Sequence, residues 1–149
     1  MSAIRSILVA TDFSAISAGA TTYAIDLAGQ LGARVTFPHV YELPMSSFFD
    51  GALVATSDLA ASVAAAADGA MATLVAKDKG SGVPVDAMIC VGSPPEEVLR
   101  VAERLDGDLI VVGTHGRQGI ARAFLGSVAE IVVRTSARPV VVVPSPHPA

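Results

Sequence analysis

The chain has 149 residues, a size that fits a single domain, and its 52% hydrophobic residues and mean hydropathy of +0.57 are high enough to raise the question of a membrane protein. No charge-free apolar run approaches the roughly 18 residues of a membrane-spanning helix, and the N-terminal segment lacks the apolar stretch of a signal peptide, so we expect a soluble, cytoplasmic protein. The net charge of −4 argues against a nucleic-acid-binding surface, and the single cysteine, Cys90, excludes an internal disulfide and a cysteine-based zinc site.

Apolar, β-branched runs along the chain predict the strands of a sheet. The first two strands are predicted at residues 7–10 and 35–37, and the helix between them is predicted over residues 14–31, ending at Gly32. The apolar positions of this helix are Ala18, Tyr23, Ile25, Leu27 and Ala28.

A long connection follows the second strand. It begins with a loop over residues 42–51, whose Phe48 and Phe49 are candidates for a functional or dimer contact. It continues with an alanine-rich segment that predicts a helix over residues 52–79, and the third strand is predicted at residues 85–91.

Two further helices have marked beginnings. Ser93-Pro94-Pro95-Glu96 has the pattern of a capping box with proline in the first helical position, and Ser127-Val128-Ala129-Glu130 repeats the box. We therefore expect these helices to begin near Pro94 and Val128, with Ser127 as the cap of the second.

The fourth and fifth strands are predicted at residues 109–112 and 140–143, and residues 144–149 are expected to form a flexible tail. Near-continuous apolar strands that alternate with helices are typical of a parallel sheet covered on both faces. We therefore predict an α/β fold with three layers and one domain over residues 1–149.

Polar residues and glycines occur where the predicted strands end, which is where ligands bind in open parallel sheets. The first strand ends in Thr11-Asp12 and the second in His39-Val40, while the fourth is followed by GTHGRQGIARAFLGSVAE over residues 113–130. Glycines let the backbone approach an anion, and a helix N-terminus adds partial positive charge. The segment after the fourth strand therefore predicts a phosphate-binding site.

The glycine spacing separates this segment from other phosphate loops. The chain contains no GxxxxGK[ST], and GTHGRQG neither matches GxGxxG nor follows the first strand. The segment instead matches G-x2-G-x9-G-[ST] at Gly113, Gly116, Gly126 and Ser127.

With this motif, the opening ILVATDFS, the His39-Val40 strand end and the closing RPVVVVP, the chain resembles the ATP-binding subgroup of the universal stress protein family over nearly its whole length. The resemblance implies a five-stranded parallel sheet of order 3-2-1-4-5, Rossmann-like and similar to adenine nucleotide α-hydrolases. It also implies binding of ATP or another adenine nucleotide, with Mg²⁺, and homodimers paired through Val140–Val143. The low charged fraction of 16% fits a surface partly covered by a partner.

The resemblance also implies roles for individual residues. Asp12 would contact the ribose or, through water, a phosphate-bound cation, and the Val40 backbone would pair with the adenine edge. Arg117 would either reach a γ-phosphate or face solvent. The implied nucleotide-binding residues are Ala10, Thr11, Asp12, Val40, Val112, Gly113, Gly116, Arg117, Gly126, Ser127 and Val128.

Two positions depart from the family pattern. Pro38 stands where the family has an apolar residue, and because proline removes a ladder N–H from an inner strand, it predicts a bulge or an early end of the strand. Ala10 stands where ATP binders often have proline.

Structural roles compete with the binding roles at several residues. Asp12 and Ser127 could serve as helix caps. His115 has no nucleophile or carboxylate placed beside it and is interpreted as an exposed loop residue, His39 as a structural hydrogen-bonding residue, and Cys90 as a buried, inert thiol.

Three functions stay open. The first is a dimeric, ATP-dependent stress sensor or regulator with slow or no hydrolysis, and the second is an adenylating enzyme. The second is disfavoured because TDFSAIS follows the first strand in place of a serine- and glycine-rich pyrophosphate loop. The third is a nucleotide-free dimeric interaction module.

Overall fold

All five predicted strands are confirmed in the computed structural model, which describes residues 3–10, 18–41, 65, 82–114 and 126–144. The predicted loop over 42–51, the helix over 52–79 except Ala65, and residues 14–17 and 145–149 lie outside the described residues. The elements in chain order are β1 (Ser6–Ala10), α1 (Ala18–Leu31), β2 (Arg34–Tyr41), β3 (Val85–Val91), α2 (Pro94–Arg104), β4 (Leu109–Gly113), α3 (Ser127–Thr135) and β5 (Val140–Val143).

The strands form one parallel sheet of order β3-β2-β1-β4-β5, as the family resemblance implied. β2 and β3 lie on one side of β1, and β4 and β5 lie on the other, so the direction of the chain connections reverses between β1 and β4. The carboxyl ends of all five strands meet at one edge of the sheet, and ligand sites in such folds lie at this reversal.

Two hydrophobic cores cover the two faces of the sheet because successive strand residues point to opposite faces. On one face Val9 and Phe37 pack with α1, where Ala24 and Ala28 are fully buried. The apolar pattern of α1 is wrong at one position, since Tyr23 is 44% exposed.

The opposite face is covered by α2 and α3. Their buried residues pack against alternate positions of β1 and β4, so these strands are buried on both faces. The members of this second core are Leu8, Val98, Val101, Ala102, Ile110, Val112, Ala129 and Val132.

The helix boundaries agree with the sequence, but the predicted caps do not form. Gly32, with φ of +68°, ends α1 as predicted. Ser93 is the N-cap of α2, yet its side chain makes no capping hydrogen bond. The N-cap of α3 is Gly126 and not Ser127, because the first helical hydrogen bond runs from the Glu130 N–H to the Gly126 carbonyl.

No helix in the described part of the chain has the length and apolar character needed to cross a bilayer.

Candidate functional site

The predicted site residues that the structure describes lie at the carboxyl edge of the sheet. Ala10 ends β1, Val40 lies one residue before the end of β2, and Val112 and Gly113 end β4. Gly126, Ser127 and Val128 form the beginning of α3. Four of the predicted site residues lie outside the described part of the chain, namely Thr11, Asp12, Gly116 and Arg117. His115, interpreted as a loop residue, also lies outside it.

Backbone hydrogen bonds hold the beginning of α3 beside the end of β4. The Gly126 N–H donates to the Thr114 carbonyl at 2.5 Å, and the Thr114 N–H donates to the Val143 carbonyl at 3.0 Å. The residues on either side of the segment 115–125 are therefore in direct contact. As a result, the N-terminus of α3 lies at the same edge of the sheet as the strand ends.

The N-terminus of α3 begins with donors that the helix itself leaves without an acceptor. Gly126 has no side chain to cap the helix, and the first intrahelical bond is made by the Glu130 N–H. The N–H groups of Ser127, Val128 and Ala129 therefore have no intrahelical acceptor. Such donors, together with the helix dipole, favour an anion.

The beginning of α2 lies at the same edge but is unsuited to an anion. Pro94 and Pro95 carry no N–H, and Glu97 already donates to the Ser93 carbonyl at 2.9 Å. The first turn also carries the carboxylates of Glu96 and Glu97. The beginning of α2 thus has one N–H without an intrahelical acceptor, that of Glu96, and two carboxylates, whereas the beginning of α3 has three such N–H groups and one carboxylate, that of Glu130.

The glycines at this edge are not required by backbone conformation. Gly126 has φ of −61° and ψ of 155°, values that any residue adopts, and Gly113 lies in a regular strand. Among the described residues, positive φ angles occur at other glycines, such as Gly32 and Gly92. Glycine in a strand interior weakens the strand, and at an N-cap it ranks below Asn, Asp and Ser, so space for a close approach is what glycine adds here.

The peptide groups of Val40 lie beyond the last described pair of β1 and β2. In β2 the Val35 N–H donates to the carbonyl of Pro84, the residue before β3, at 2.9 Å. The Arg34 N–H donates to the carbonyl of Arg5, the residue before β1, also at 2.9 Å. Even-numbered residues of β2 therefore direct their N–H and C=O groups toward β1. The last described β1–β2 pair is Leu8 with Thr36, and the residues of the chain that would face Val40 on this side, 11–13, lie outside the described residues.

Pro38 forms neither the bulge nor the early strand end predicted from the sequence. β2 pairs with β3 in unbroken register from Val35 to Tyr41, with Pro38 opposite Met88. Pro38 is an even-numbered residue, so the N–H that proline lacks would have faced β1. This position lies beyond the last described pair of β1 and β2, Leu8 with Thr36. Among the described residues, β2 is thus paired with β3 along this whole stretch and with β1 only as far as Thr36.

An apolar surface lies beside the Val40 peptide. Ala10, Val40, Met88 and Cys90 are partly buried and pack against the second core. The sequence analysis did not assign Met88 and Cys90 to the site. The signal that identifies them is the β2–β3 register, which pairs Val40 with Cys90.

Two residues interpreted as structural can now be placed. Cys90 is partly buried on the edge strand β3 and not fully buried, and desolvation followed by the charge of Glu97 raises the pKa of its thiol. The thiol therefore stays protonated at neutral pH. His39 is buried, with 7% of its surface exposed.

The carboxylates, imidazoles and thiol of the described residues form no cluster of three that could hold a metal ion.

The sequence matches the model of the universal stress protein family over residues 3–144. This chain belongs to the universal stress protein family. The universal stress protein MJ0531 of Methanocaldococcus jannaschii is 33% identical over 148 residues, which cover 95% of this chain and 83% of that protein.

Solved structures of universal stress proteins share the fold. The MJ0577 protein, from the same organism, superposes with a TM-score of 0.84 at 26% identity, over 99% of this chain and 100% of the other. A universal stress protein solved in complex with cAMP superposes with a TM-score of 0.70 at 25% identity, over 95% and 98% of the two chains.

Proposed function

We propose that this universal stress protein binds an adenine nucleotide, ATP with Mg²⁺, at the carboxyl ends of β2, β1 and β4, and acts as a nucleotide-dependent stress sensor or regulator. One observation carries the proposal: Val40, whose N–H and C=O face the β1 side of β2, lies at the same sheet edge as the N-terminus of α3, whose first N–H groups have no intrahelical acceptor. The Val40 peptide suits a base, and the N–H groups at the N-terminus of α3 suit phosphates.

The Val40 peptide matches the edge of adenine. Adenine presents a ring-nitrogen acceptor beside an amino-group donor, and one residue with both N–H and C=O free can pair with both. Ala10, Met88 and Cys90 would supply the apolar surface against which the base packs. The relative bound to cAMP, at 25% identity, supports an adenine base as the ligand.

The phosphates would lie at the beginning of α3, on the N–H groups of Ser127 and Val128. The absent Cβ of Gly126 would allow this approach. Gly116, Arg117 and Thr11 complete the proposed site, and Asp12 is the proposed contact to the ribose or, through water, to Mg²⁺.

The proposed Mg²⁺ would enter with the phosphates, whose charge it neutralises. Fast hydrolysis would need a positioned base and carboxylates that hold the cation, and the sequence places only Asp12 at the strand ends. We therefore propose slow or no hydrolysis.

We further propose a homodimer paired through β5. The Pro139 carbonyl accepts from Ile110 and the Val143 carbonyl from Thr114, so the odd-numbered positions face β4, and Val140 and Val142 direct their N–H and C=O groups outward. Before β5, the Ser136 hydroxyl accepts from the N–H of Arg138 and donates to its C=O, so these groups are already bonded. After β5, Pro144 has no N–H to offer. The outward edge is therefore short, which suits a closed two-fold pair of antiparallel strands.

Calorimetry of ATP binding to the Gly126→Val variant tests the proposed nucleotide site. We expect micromolar binding by the parent protein and a Kd at least about tenfold weaker for Gly126→Val, since the added side chain occupies the phosphate approach. Gly19→Val is the matched control, because a Cβ at Gly19 meets no atom of the described residues within 4 Å.

Circular dichroism checks that both glycine variants fold. An unchanged Kd in folded Gly126→Val would remove the beginning of α3 from the site. A parent protein that binds no adenine nucleotide would support the nucleotide-free interaction module instead.

A further inference from the structure

We infer that the flank of α3 that carries Val133 is a contact surface for a second copy of this chain, beside β5 on one face of the sheet. This inference rests on the proposed homodimer. It extends the contact from the edge strand to the helix that covers it.

The edge of β5 is too small to hold two copies together alone. Among the described residues of this strand, Val140 and Val142 direct their N–H and C=O groups outward. A stable interface between two proteins buries roughly 1,200–2,000 Å², far more than a pair of four-residue strands covers. A homodimer paired through β5 therefore needs further surface on the elements that flank this strand.

α3 carries an exposed apolar side chain on each side of its buried stripe. Val132 is fully buried in the second core, whereas Ile131 is 40% exposed and Val133 is 44% exposed. Successive residues of an α-helix are about 100° apart, so Ile131 and Val133 lie on opposite flanks of the helix. One flank faces α2, and the other faces the edge of the sheet.

The hand of the chain connection decides which flank faces the edge. A crossover between parallel strands is right-handed. In such a crossover, the residue that follows the buried one points in the direction in which the chain advances across the sheet. The connection through α3 advances from β4 to β5, the last strand of the sheet. Val133 therefore lies on the flank beside the outer edge of β5, and Ile131 lies on the flank toward α2.

The same geometry is observed in α1. Ala28 is fully buried against the sheet, and Gly29 follows it in a connection that advances from β1 to β2, in the direction of β3. A Cβ at Gly29 would lie 3.7 Å from Cγ2 of Val83, a residue that precedes β3. The flank after the buried residue thus faces the direction of advance in α1, as it does in α3.

A two-fold pair of β5 strands brings the two α3 helices together. Antiparallel strands of one continuous sheet are related by an axis perpendicular to the sheet, so α3 and its counterpart cover the same face. The second core joins α3 to both β4 and β5, which places the two helix axes about two strand spacings, or roughly 10 Å, apart. Packed helices lie about 8–10 Å apart, so the second copy would bury Val133.

Sedimentation equilibrium of Val133→Lys tests the inference. We expect a dimer Kd at least about tenfold weaker than that of the parent, because the contact would then bury an ammonium group from each copy. Ile131→Lys is the matched control, since it adds the same charge at similar exposure on the other flank of α3, and its Kd should equal that of the parent. Lysine is a good helix former, and circular dichroism checks that both variants fold.

Cross-linking supplies a second readout that keeps both side chains small. Cys90 is first replaced in a Cys90→Ser background, because it is the only cysteine of the chain. A short bismaleimide should then link two copies of Val133→Cys, whose thiols face each other across the dimer axis, and leave Ile131→Cys unlinked. Equal linking of the two cysteine variants would contradict the inference.

The homodimer and this contact surface fail in different ways. A parent that is monomeric at high micromolar concentration overturns the proposed homodimer and this inference with it. A dimeric parent, beside a folded Val133→Lys variant with the same Kd, overturns the role of α3 alone. Equal weakening by Ile131→Lys would show a general effect of the added charge and would also overturn that role.

Discussion

Gly107 allows the turn between α2 and β4 to lie directly against β1. A Cβ at this position would be 2.5 Å from Cδ1 of Leu8, a fully buried residue of the second core. The Gly107 carbonyl also accepts a hydrogen bond from Nε of Arg138 at 2.7 Å, which ties the turn to the connection before β5. Glycine is therefore required here by packing.

We expect Gly107→Ala to lower the free energy of unfolding by about 1–3 kcal/mol, because neither Leu8 nor the turn can move without disturbing the core. Urea denaturation measures this change. Gly19→Ala is the control: a Cβ there meets nothing within 4 Å in the part of the chain that the structure describes, so its free energy of unfolding should be unchanged or up to about 1 kcal/mol higher. Equal midpoints for both alanine variants would show that the second core adapts to the added methyl group.

At the scale of the element, β5 is a short strand whose outer edge carries hydrogen-bonding groups only at Val140 and Val142. Its four valines are half-buried, with Val141 and Val143 packed against the first core and Val140 and Val142 against the second. An edge of high β-propensity and no charge favours pairing with another chain.

We expect the parent protein to be a dimer and Val142→Pro to be a monomer at the same concentration. Proline at 142 removes an outward N–H, whereas the bonds of β5 to β4 are made by the odd-numbered residues and persist. Light scattering measures the molar mass, and Val142→Thr, which keeps the N–H and the β-branched shape, should remain a dimer. A parent that is monomeric at high micromolar concentration contradicts the proposed dimer.

The helix beginnings show how far local sequence predicts an element. The patterns at Ser93 and Ser127 locate the starts of α2 and α3 within one residue. They do not predict which group caps each helix, because Gly126 takes the N-cap position of α3 and the hydroxyl of Ser93 makes no capping bond. A capping pattern thus marks where a helix begins without establishing that the capping bond forms.

For the molecule as a whole, nucleotide binding should appear as a gain in thermal stability. A ligand that binds only the folded state at 100 times its Kd contributes about 2.7 kcal/mol, which corresponds to a Tm increase of about 5–11 °C for a chain of this size. Differential scanning calorimetry with ATP measures the shift. GTP at the same concentration should give a smaller shift, because guanine reverses the donor and acceptor that face Val40.

An equal Tm shift with GTP would show that the base is not recognised by the Val40 peptide. No shift with either nucleotide would contradict nucleotide binding by this protein.

The strands, the glycine spacing and the family resemblance could all be recognised from the sequence, because strand propensity and motif spacing are local properties of the chain. The resemblance, and not the periodicity, provided the strand order 3-2-1-4-5. It also directed attention to Val40, Gly113 and Gly126, which the structure places at one sheet edge.

The tertiary structure alone decided what these residues can offer to a ligand. The side of β2 toward which the Val40 peptide faces follows from the hydrogen bonds of Arg34 to Arg5 and of Val35 to Pro84, partners that are distant in sequence. Met88 and Cys90 join the apolar surface only through the β2–β3 register. Strand register pairs residues that are far apart along the chain, so these properties exist only once the sheet has formed.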